Sequence, residues 1–495
     1  MIWRTRFARN LAAVTGLLVI LSGIARADGQ RKYVRLTILH TNDTHSHLLP
    51  FSCPTAGGQK LPAYKNIGGI ARRATLIKRI RCANEPVLVL DAGDVIDGSP
   101  FSIEFAGEAD FAAANAAGYD AIVTGNHEYS NTFENFNKRV LQADFPVLGA
   151  NVFRLSDGSR LLLPYIIRTE DGLRVAILGL VTPNTYTAVK EGNLEIRDPV
   201  QVAREWVPKL REQADAVILL THIGFDQDEK LAAQIPGIDA IIGGHSHTRL
   251  DRPVLVKHAP DSDPFSIDGT VVAQDFQWGG DLGEVDLTFR KGDCGWTLMS
   301  FGGKLIPVTS DIPEDPGVRE VVEKYHRQIA SKYDVVLGEA TADFIAEAPA
   351  NMVCDALRET CSAEFCIQGG VRTDLVEGPI TMGDIAMLFP FNNKVMTFQA
   401  TGAQIKAICL KSRPAVSGIR YKIAGGKLVS AEIGGKPIED AKVYSGVTHA
   451  FFAEYEIPKE ITMGDGKASV RDVIVKYIQA KKTISPDGER RAVTE

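Results

Sequence analysis

Leu36-Thr37-Ile38-Leu39-His40-Thr41-Asn42-Asp43-Thr44-His45 joins two kinds of residue end to end. The apolar run reads as a buried strand. It delivers the chain into Asn42, Asp43 and His45, side chains suited to turns, caps or metal ligation. The pattern then returns four times: Val87–Leu90 runs into Asp91-Ala92-Gly93-Asp94, Ala121–Val123 into Gly125-Asn126-His127-Glu128, Ala216–Leu220 into Thr221-His222, and Ala240–Ile242 into Gly243-Gly244-His245-Ser246-His247. Helical patterns such as Ile70–Arg81 and Thr132–Ala143 lie between these runs. The layout is α/β, and such sheets gather their ligands just beyond the C-terminal strand ends.

The clusters supply Asp43, His45, Asp94, Asn126, His222, His245 and His247. Imidazole and carboxylate together suit Zn, Mn, Fe or Co. The set is too large for one tetrahedral ion and fits two divalent ions sharing a carboxylate, with Asp94 in the middle as the bridge. Asp43-x-His45 and His245-x-His247 would point to opposite faces of an extended chain. Both members converge only if the backbone turns just past the strand, which Asn42-Asp43 and Gly243-Gly244 permit. One His or Asp at a strand end is usually a hydrogen-bonded structural residue, the reading given to His40, His258, His326 and His449. Five clusters in succession are not coincidence.

Outward from this core, Trp278–Arg290 and Trp296–Val308 read as a strand meander. After Pro313 and Pro316, Val318–Lys332 reads as an amphipathic helix, with Val318, Val321, Val322, Tyr325 and Ile329 at helical spacing. A second α/β segment follows Gly338. The expected division is a leader over 1–27, a first domain over 28–312, a linker helix within 313–338 and a second domain over 339–495. The leader has basic Arg4, Arg6 and Arg9, the apolar run Leu11–Ile24 and the cleavage pattern Ala25-Arg26-Ala27. Export to the periplasm is expected from it. The run is shorter than the roughly 20 residues of a spanning helix, so no stable membrane anchor is expected.

Across 495 residues, 45% are hydrophobic and 23% charged, which excludes a disordered or multi-spanning chain. The net charge of −6 includes four leader arginines, so the remainder is more acidic still and offers no general field for duplex nucleic acid. Seven cysteines contain no C-x-x-C pair. Cys354, in a helical pattern, and Cys366, in the next apolar run, are placed for a helix–strand bridge. Cys53 and Cys82 are a second candidate pair. Oligomeric state is not readable from these features.

Asp43-Thr44-His45, Gly93-Asp94, Gly125-Asn126-His127-Glu128, Thr221-His222 and Gly243-Gly244-His245-Ser246-His247 resemble the calcineurin-like metallophosphoesterases, and among them the 5′-nucleotidase family. In the second half, Asn351–Leu357, Gly369-Gly370-Val371-Arg372, Leu388-Phe389-Pro390-Phe391 and Gly464-Asp465-Gly466 resemble that family's C-terminal domain. The resemblance implies a four-layer α/β/β/α sandwich, a linker helix and an α/β substrate-binding domain that swings toward the metals. One ion would be held by Asp43, His45, Asp94 and His247, the other by Asp94, Asn126, His222 and His245. His127, with Asn126, would meet the phosphoryl group. Arg372 would hold substrate charge, Phe391 and Phe451 (or the adjacent Phe452) would sandwich a base, and Asp465 would meet the ribose.

The implied activity is release of phosphate from nucleoside 5′-monophosphates for salvage. Three departures bear on it. Ser130 replaces a carboxylate usual three residues after the histidine, the signature Asn-Gly-Gly-Gly-x-Arg becomes Ile367-Gln368-Gly369-Gly370-Val371-Arg372 and so loses its base-contacting Asn, and Ala346 replaces an Arg. Without the carboxylate, the imidazole of His127 is expected to lose a proton more easily than in relatives, with Glu134 the nearest other acid in sequence. Alternatives are a 2′,3′-cyclic-nucleotide, 3′-nucleotide or nucleotide-sugar hydrolase, a sulfur-oxidation thiohydrolase, and a nucleotide-binding protein with little turnover. The Phe residues argue against the thiohydrolase, and the full ligand set argues against simple binding.

Overall fold

A computed structural model describes residues 32–56, 59–60, 64–84, 86–183, 186–258, 267–293, 295–391 and 393–495. The leader over 1–27 and Cys294 lie outside the described residues. The main strands of the first half are β1 (Tyr33–Thr41), β2 (Val87–Asp91), β3 (Ala121–Val123), β4 (Val147–Leu148), β5 (Tyr165–Glu170), β6 (Leu173–Val181), β7 (Ala216–His222), β8 (Ala240–Ile242), β9 (Val254–Lys257), β10 (Gly269–Ala273), β11 (Asp281–Gly292) and β12 (Gly295–Pro307). They form two six-stranded sheets, ordered β12-β11-β1-β2-β3-β4 and β9-β10-β8-β7-β6-β5. β1 to β4 pair in parallel, and so do β6, β7, β8 and β10; hairpins add the antiparallel edges.

Every residue of β7 is buried, and so is all of β6 except Arg174. Parallel strands covered on both faces favour such continuous apolar runs over alternation. One face explains the sandwich: Leu36, Ile38, Val175, Ile177, Ile218 and Leu220 share a core between the sheets. On the far side of the second sheet, Val217, Leu219 and Ile241 pack against Val202, Val207 and Leu210 of a helix (Pro199–Arg211) and Leu231 of the next (Phe225–Gln234). On the far side of the first sheet lie α1 (Ile70–Ala83), α2 (Pro100–Phe105) and α3 (Glu108–Ala117). The α/β/β/α expectation holds.

α4 (Pro316–Tyr333) forms where the spacing of Val318–Lys332 predicts a helix. Asp315 caps its start by accepting from Val318 N at 3.1 Å, with Pro316 at the first turn. Val318, Val322, Tyr325, Ile329 and Tyr333 bury its inner face in the core of the first half. Lys332 Nζ and Tyr333 Oη both bond Glu104 of α2, at 2.6 and 2.7 Å. The helix is therefore packed onto the first half, and Asp334-Val335 leads into the next strand, Val336–Ala340.

The second half centres on the sheet β15-β13-β16-β14-β17, built from β13 (Phe365–Gln368), β14 (Lys394–Thr401), β15 (Ala415–Ser417), β16 (Val443–His449) and β17 (Met463–Ser469). α5 (Ala348–Cys361) buries Met352, Val353, Ala356 and Leu357 in the core beside it. Thr55 Oγ1 donates to Asp374 at 2.7 Å and Tyr64 Oη to Asp343 at 2.9 Å, fastening this half to the first. The six described cysteines are thiols. Cys354 and Cys366 do meet between α5 and β13. The second expected pair is not made: Cys53 Sγ donates to Thr55 O at 2.9 Å, while Cys82 is exposed.

Candidate metal centre and substrate face

All seven expected ligands gather at the C-terminal ends of β1, β2, β3, β7 and β8. Asp43, His45, Asp94, His245 and His247 have φ of 49°, 46°, 55°, 79° and 51°. These left-handed positions supply the turns that the period-two spacing demanded, and they fold ligands two apart onto one face. Asp43, His45 and His247 converge as one group, Asp94, His222 and His245 as another, with ligand atoms inside each within 4.8 Å of one another. His45 Nε2 lies 3.9 Å from Asp94 Oδ2, and His222 Nε2 lies 3.1 Å from the same oxygen, so Asp94 stands between the groups.

The donor set fits cations. His222 Nδ1 is engaged with Ala92 O at 2.7 Å, and His45 Nδ1 with Ile96 O at 3.2 Å, which turns both Nε2 atoms inward. His45 Nε2 then faces His247 Nε2 at 3.2 Å, and His222 Nε2 faces Asn126 Oδ1 at 3.2 Å. Asp43 Oδ1 is buried with no hydrogen-bond donor among the described residues. Lone pairs aimed at one another across buried space are stabilised by positive charge between them. Electrostatics agree. Burial opposes protonation of His222, but Asp94 and Asp43 outweigh it and push its pKa up to about 10. Burial opposes ionisation of Asp94, yet His222 and His127 hold its carboxyl well below the usual carboxylate range.

Glu128, part of the Asn-His-Glu run but given no role from sequence, holds the loop that aims Asp94. Its carboxylate accepts from Asp94 N (3.0 Å), Val95 N (2.8 Å), Ile96 N (3.3 Å) and Gly125 N (2.5 Å). Gly125 must be glycine, since a Cβ there would come within 2.1 Å of Asp94 Oδ1. His127 N donates to that oxygen at 2.7 Å.

His127 has a carboxylate neighbour that neither Ser130 nor Glu134 supplies. Ser130 Oγ is buried with no hydrogen-bond partner among the described residues, and Glu134 is exposed and paired with Lys138. The carboxylate beside His127 is Asp97, with Oδ2 3.0 Å from Nδ1. Burial pulls the His127 pKa down, but Asp94 and Asp97 outweigh it and the imidazole ends above its ordinary value. Tyr186 was also missed: its ring lies 5.7 Å from that of His127, and its hydroxyl bonds Asn126. No motif marks either residue; only the loop geometry brings them in.

From the second half, Arg372 Nη2 reaches 3.4 Å from His127 Nε2. Its guanidinium carbon lies 5.5 Å from the ring centre of Phe391, which is 47% exposed. Phe451 is 59% exposed and rests on Tyr455 with ring centres 4.7 Å apart, whereas Phe452 is in the core. His449 caps the helix Ala450–Glu456 by accepting from Phe452 N at 3.3 Å, and Phe451 points outward from it. Asp465 lies on β17, and its side chain is outside the described residues. Gln368 is fully buried and donates to Ala350 O at 3.4 Å, so it faces the core.

Residues 36–249 match the family profile described as Calcineurin-like phosphoesterase, and residues 336–456 match 5′-nucleotidase, C-terminal domain. A 5′-nucleotidase of Vibrio cholerae is 29% identical, over 92% of this chain and 90% of that one. Among solved structures, the chain is similar to a 5′-nucleotidase precursor of Thermus thermophilus at 26% identity and a TM-score of 0.80, covering 93% of this chain and 99% of that one. It shares the fold of the sulfate thiohydrolase SoxB of the same organism, with a TM-score of 0.76 at 20% identity over 95% and 98% of the two chains.

Proposed function

For a chain that belongs to the calcineurin-like phosphoesterases carrying a 5′-nucleotidase C-terminal domain, we propose metal-dependent hydrolysis of nucleoside 5′-monophosphates to nucleosides and phosphate. The observation that carries this reading is the reach of Arg372 from the second half to His127 at the ligand cluster. It joins a phosphate-binding guanidinium and exposed aromatic rings to the hydrolytic face. Asp43, His45, Asp94 and His247 would hold one divalent ion and Asp94, Asn126, His222 and His245 the other. When bound, such a pair supplies Lewis-acid charge for the phosphoryl oxygens and lowers the pKa of water.

The chain's own groups do the rest. Arg372 pairs with the phosphate as a planar fork. His127, with Asn126 beside it, faces the phosphoryl group and gives a proton to the leaving oxygen from Nε2, a role worth about 10²–10⁴-fold. Phe391 and Phe451 stack the base at about 1–3 kcal/mol, and Asp465 holds the ribose. With Ile367 in the place of the base-contacting Asn and buried in the core, no amide from that position reads the base, which supports broad nucleobase tolerance. Likeness to SoxB extends to the fold, and the outward aromatic rings favour a nucleotide over a thiosulfonate.

The working division is a leader over 1–27, a catalytic domain over 28–312, a linker helix within 313–338 and a substrate-binding domain over 339–495, with the mature protein in the periplasm. Among the described residues, no helix is long and apolar enough to cross a membrane. The test is turnover of AMP, 3′-AMP, 2′,3′-cyclic AMP, UDP-glucose and bis-p-nitrophenyl phosphate after chelation and re-addition of Zn, Mn or Co. AMP should be hydrolysed fastest and only with metal restored. Preference for any of the others, or full activity after chelation, overturns the reading.

A further inference from the structure

After β13 the chain runs through Gly369-Gly370-Val371-Arg372-Thr373-Asp374, and none of these six residues is buried. A Cβ at Gly370 would meet nothing within 4 Å, so packing does little to hold the segment. Its own half ties it by backbone. Arg372 N donates to Leu388 O at 3.1 Å, and just beyond, Leu375 and Phe344 exchange bonds at 3.2 and 2.8 Å. The two charged side chains both cross to the first half, Arg372 to His127 and Asp374 to Thr55. No carboxylate among the described residues pairs with Arg372, so the guanidinium is placed by the backbone that carries it.

Thr55 stands on an arm that the first half extends between Phe51 and Ile67. These two residues bond each other at 2.8 Å in both directions, Cys53 N donates to Tyr64 O at 2.9 Å, and Thr55-Ala56 pairs with Gln59-Lys60. Arg72 of α1 braces the root through Asn66, whose carbonyl and side-chain oxygens accept at 2.7 and 3.0 Å. On the second half, the arm's contacts flank the Phe344–Leu375 pairing: Tyr64 Oη donates to Asp343 at 2.9 Å, and Thr55 Oγ1 to Asp374 at 2.7 Å. Beside the arm, a cavity of about 470 Å³ separates the halves, with Phe51, Phe101 and Trp278 on one wall and Glu377, Pro379 and Met387 on the other. Apolar contact resumes at the helix Met382–Leu388, whose Ala386 joins the core of the first half. With open space between these two attachments, the arm's polar bonds are what reach the Arg372 segment.

We infer that Asp374 is a positioning residue for Arg372: Thr55, reaching across from the arm, fixes the segment that presents the guanidinium to the hydrolytic face. Burial pushes the Asp374 carboxyl above its ordinary value, and the hydroxyl and amide of Thr55 oppose that by favouring the ionised form. A carboxylate held by both donors is a stronger tether than a neutral acceptor would be. The inference rests on the phosphoester hydrolysis proposed above.

The experiment compares metal-loaded wild type with Thr55→Val, Asp374→Ala and Asp374→Asn, each with and without Arg372→Ala. Thr55→Val removes the donor hydroxyl from the opposite half, 319 residues away from Asp374. It should lower kcat/KM for AMP about three- to tenfold. Asp374→Ala forfeits the amide bond as well and should lose at least as much, whereas Asp374→Asn keeps an acceptor oxygen and should stay within about threefold of wild type. In the Arg372→Ala background, Thr55→Val should change kcat/KM by less than about twofold, a result that general loosening of the fold would not give. Hydrogen exchange reads the tether without turnover: in Thr55→Val the amides of Arg372 and Leu375 should exchange about tenfold faster, and those of β6 and β7 at the wild-type rate. Unchanged exchange, unchanged turnover, or a loss that persists in Arg372→Ala overturns the inference; if Thr55→Val does not fold, Asp374→Ala decides by the same cycle. Wild-type turnover of AMP tests the nucleotidase reading separately. Should wild type prefer another ester, that reading falls, the cycle is run on that ester, and the exchange rates decide the tether as before.

Discussion

Glu128→Gln should unmake the loop that aims Asp94. The native carboxylate takes four backbone N–H groups, Asp94 and Gly125 on one oxygen, Val95 and Ile96 on the other. An amide keeps one oxygen, so either orientation turns an NH₂ group toward two N–H donors. Two orphaned buried donors at about 1–3 kcal/mol each give roughly 2–6 kcal/mol, against about 5–15 kcal/mol for a typical fold. Shape and volume hardly change, so a packing defect contributes little. Urea denaturation of chelated protein measures this without stabilisation from bound ions, and the transition of the first half is the one to follow. The midpoint should drop clearly, and protein reloaded with Zn should hold fewer than two ions. A loss below about 1 kcal/mol with two ions retained would falsify the claim that these four bonds hold the loop.

Asp94→Asn, at the junction of the two ligand groups, should leave well under two metals per chain and remove most activity; two retained ions with near-normal turnover would refute the bridging assignment. Phe391→Ala should raise KM for AMP while sparing p-nitrophenyl phosphate, and equal losses on both would make Phe391 a packing residue. Burial on α3 lifts the Asp110 carboxyl from its ordinary 3.8 to about 7. The folded state therefore binds the extra proton between those values, and stability falls as pH rises across that window, by at most ~4 kcal/mol at ~1.4 kcal/mol per pH unit. Asp110→Asn should flatten that slope in denaturant midpoints taken at pH 5 and 7; an unchanged slope counts against it.

The ligand set was legible because each member follows a strand, and strand ends in an α/β sheet converge whatever the intervening helices do. The turn requirement was legible too: period-two pairs such as Asp43 and His45 cannot share a face without one. Asp97 was not. It sits where a hydrogen-bonded turn former would sit, and only a positive φ makes it face His127 rather than solvent. Reasoning by position placed the question at Ser130, three residues along the chain, when the answer lay thirty residues upstream on a different loop. Glu128 was quoted but not understood, because its partners are backbone amides, which carry no sequence signature. The fold itself followed from apolar runs, and α4 from its spacing. That α4 belongs to the first half came from tertiary contacts alone.

Five of the seven candidate ligands occupy left-handed backbone, a conformation costing on the order of 1 kcal/mol or more at each non-glycine residue. No unfolded chain would hold them so, and apart from Asp43-x-His45 and His245-x-His247 they come from distant strand ends. Small zinc domains fold around their ion; here the order is reversed, and the scaffold must be complete before there is anywhere for an ion to sit. Metal choice is then made by the surroundings in which folding finishes. If the chain crosses a membrane unfolded, the cytoplasmic metal pool has no say in its content, and the ions it carries register the supply outside the cell's inner boundary.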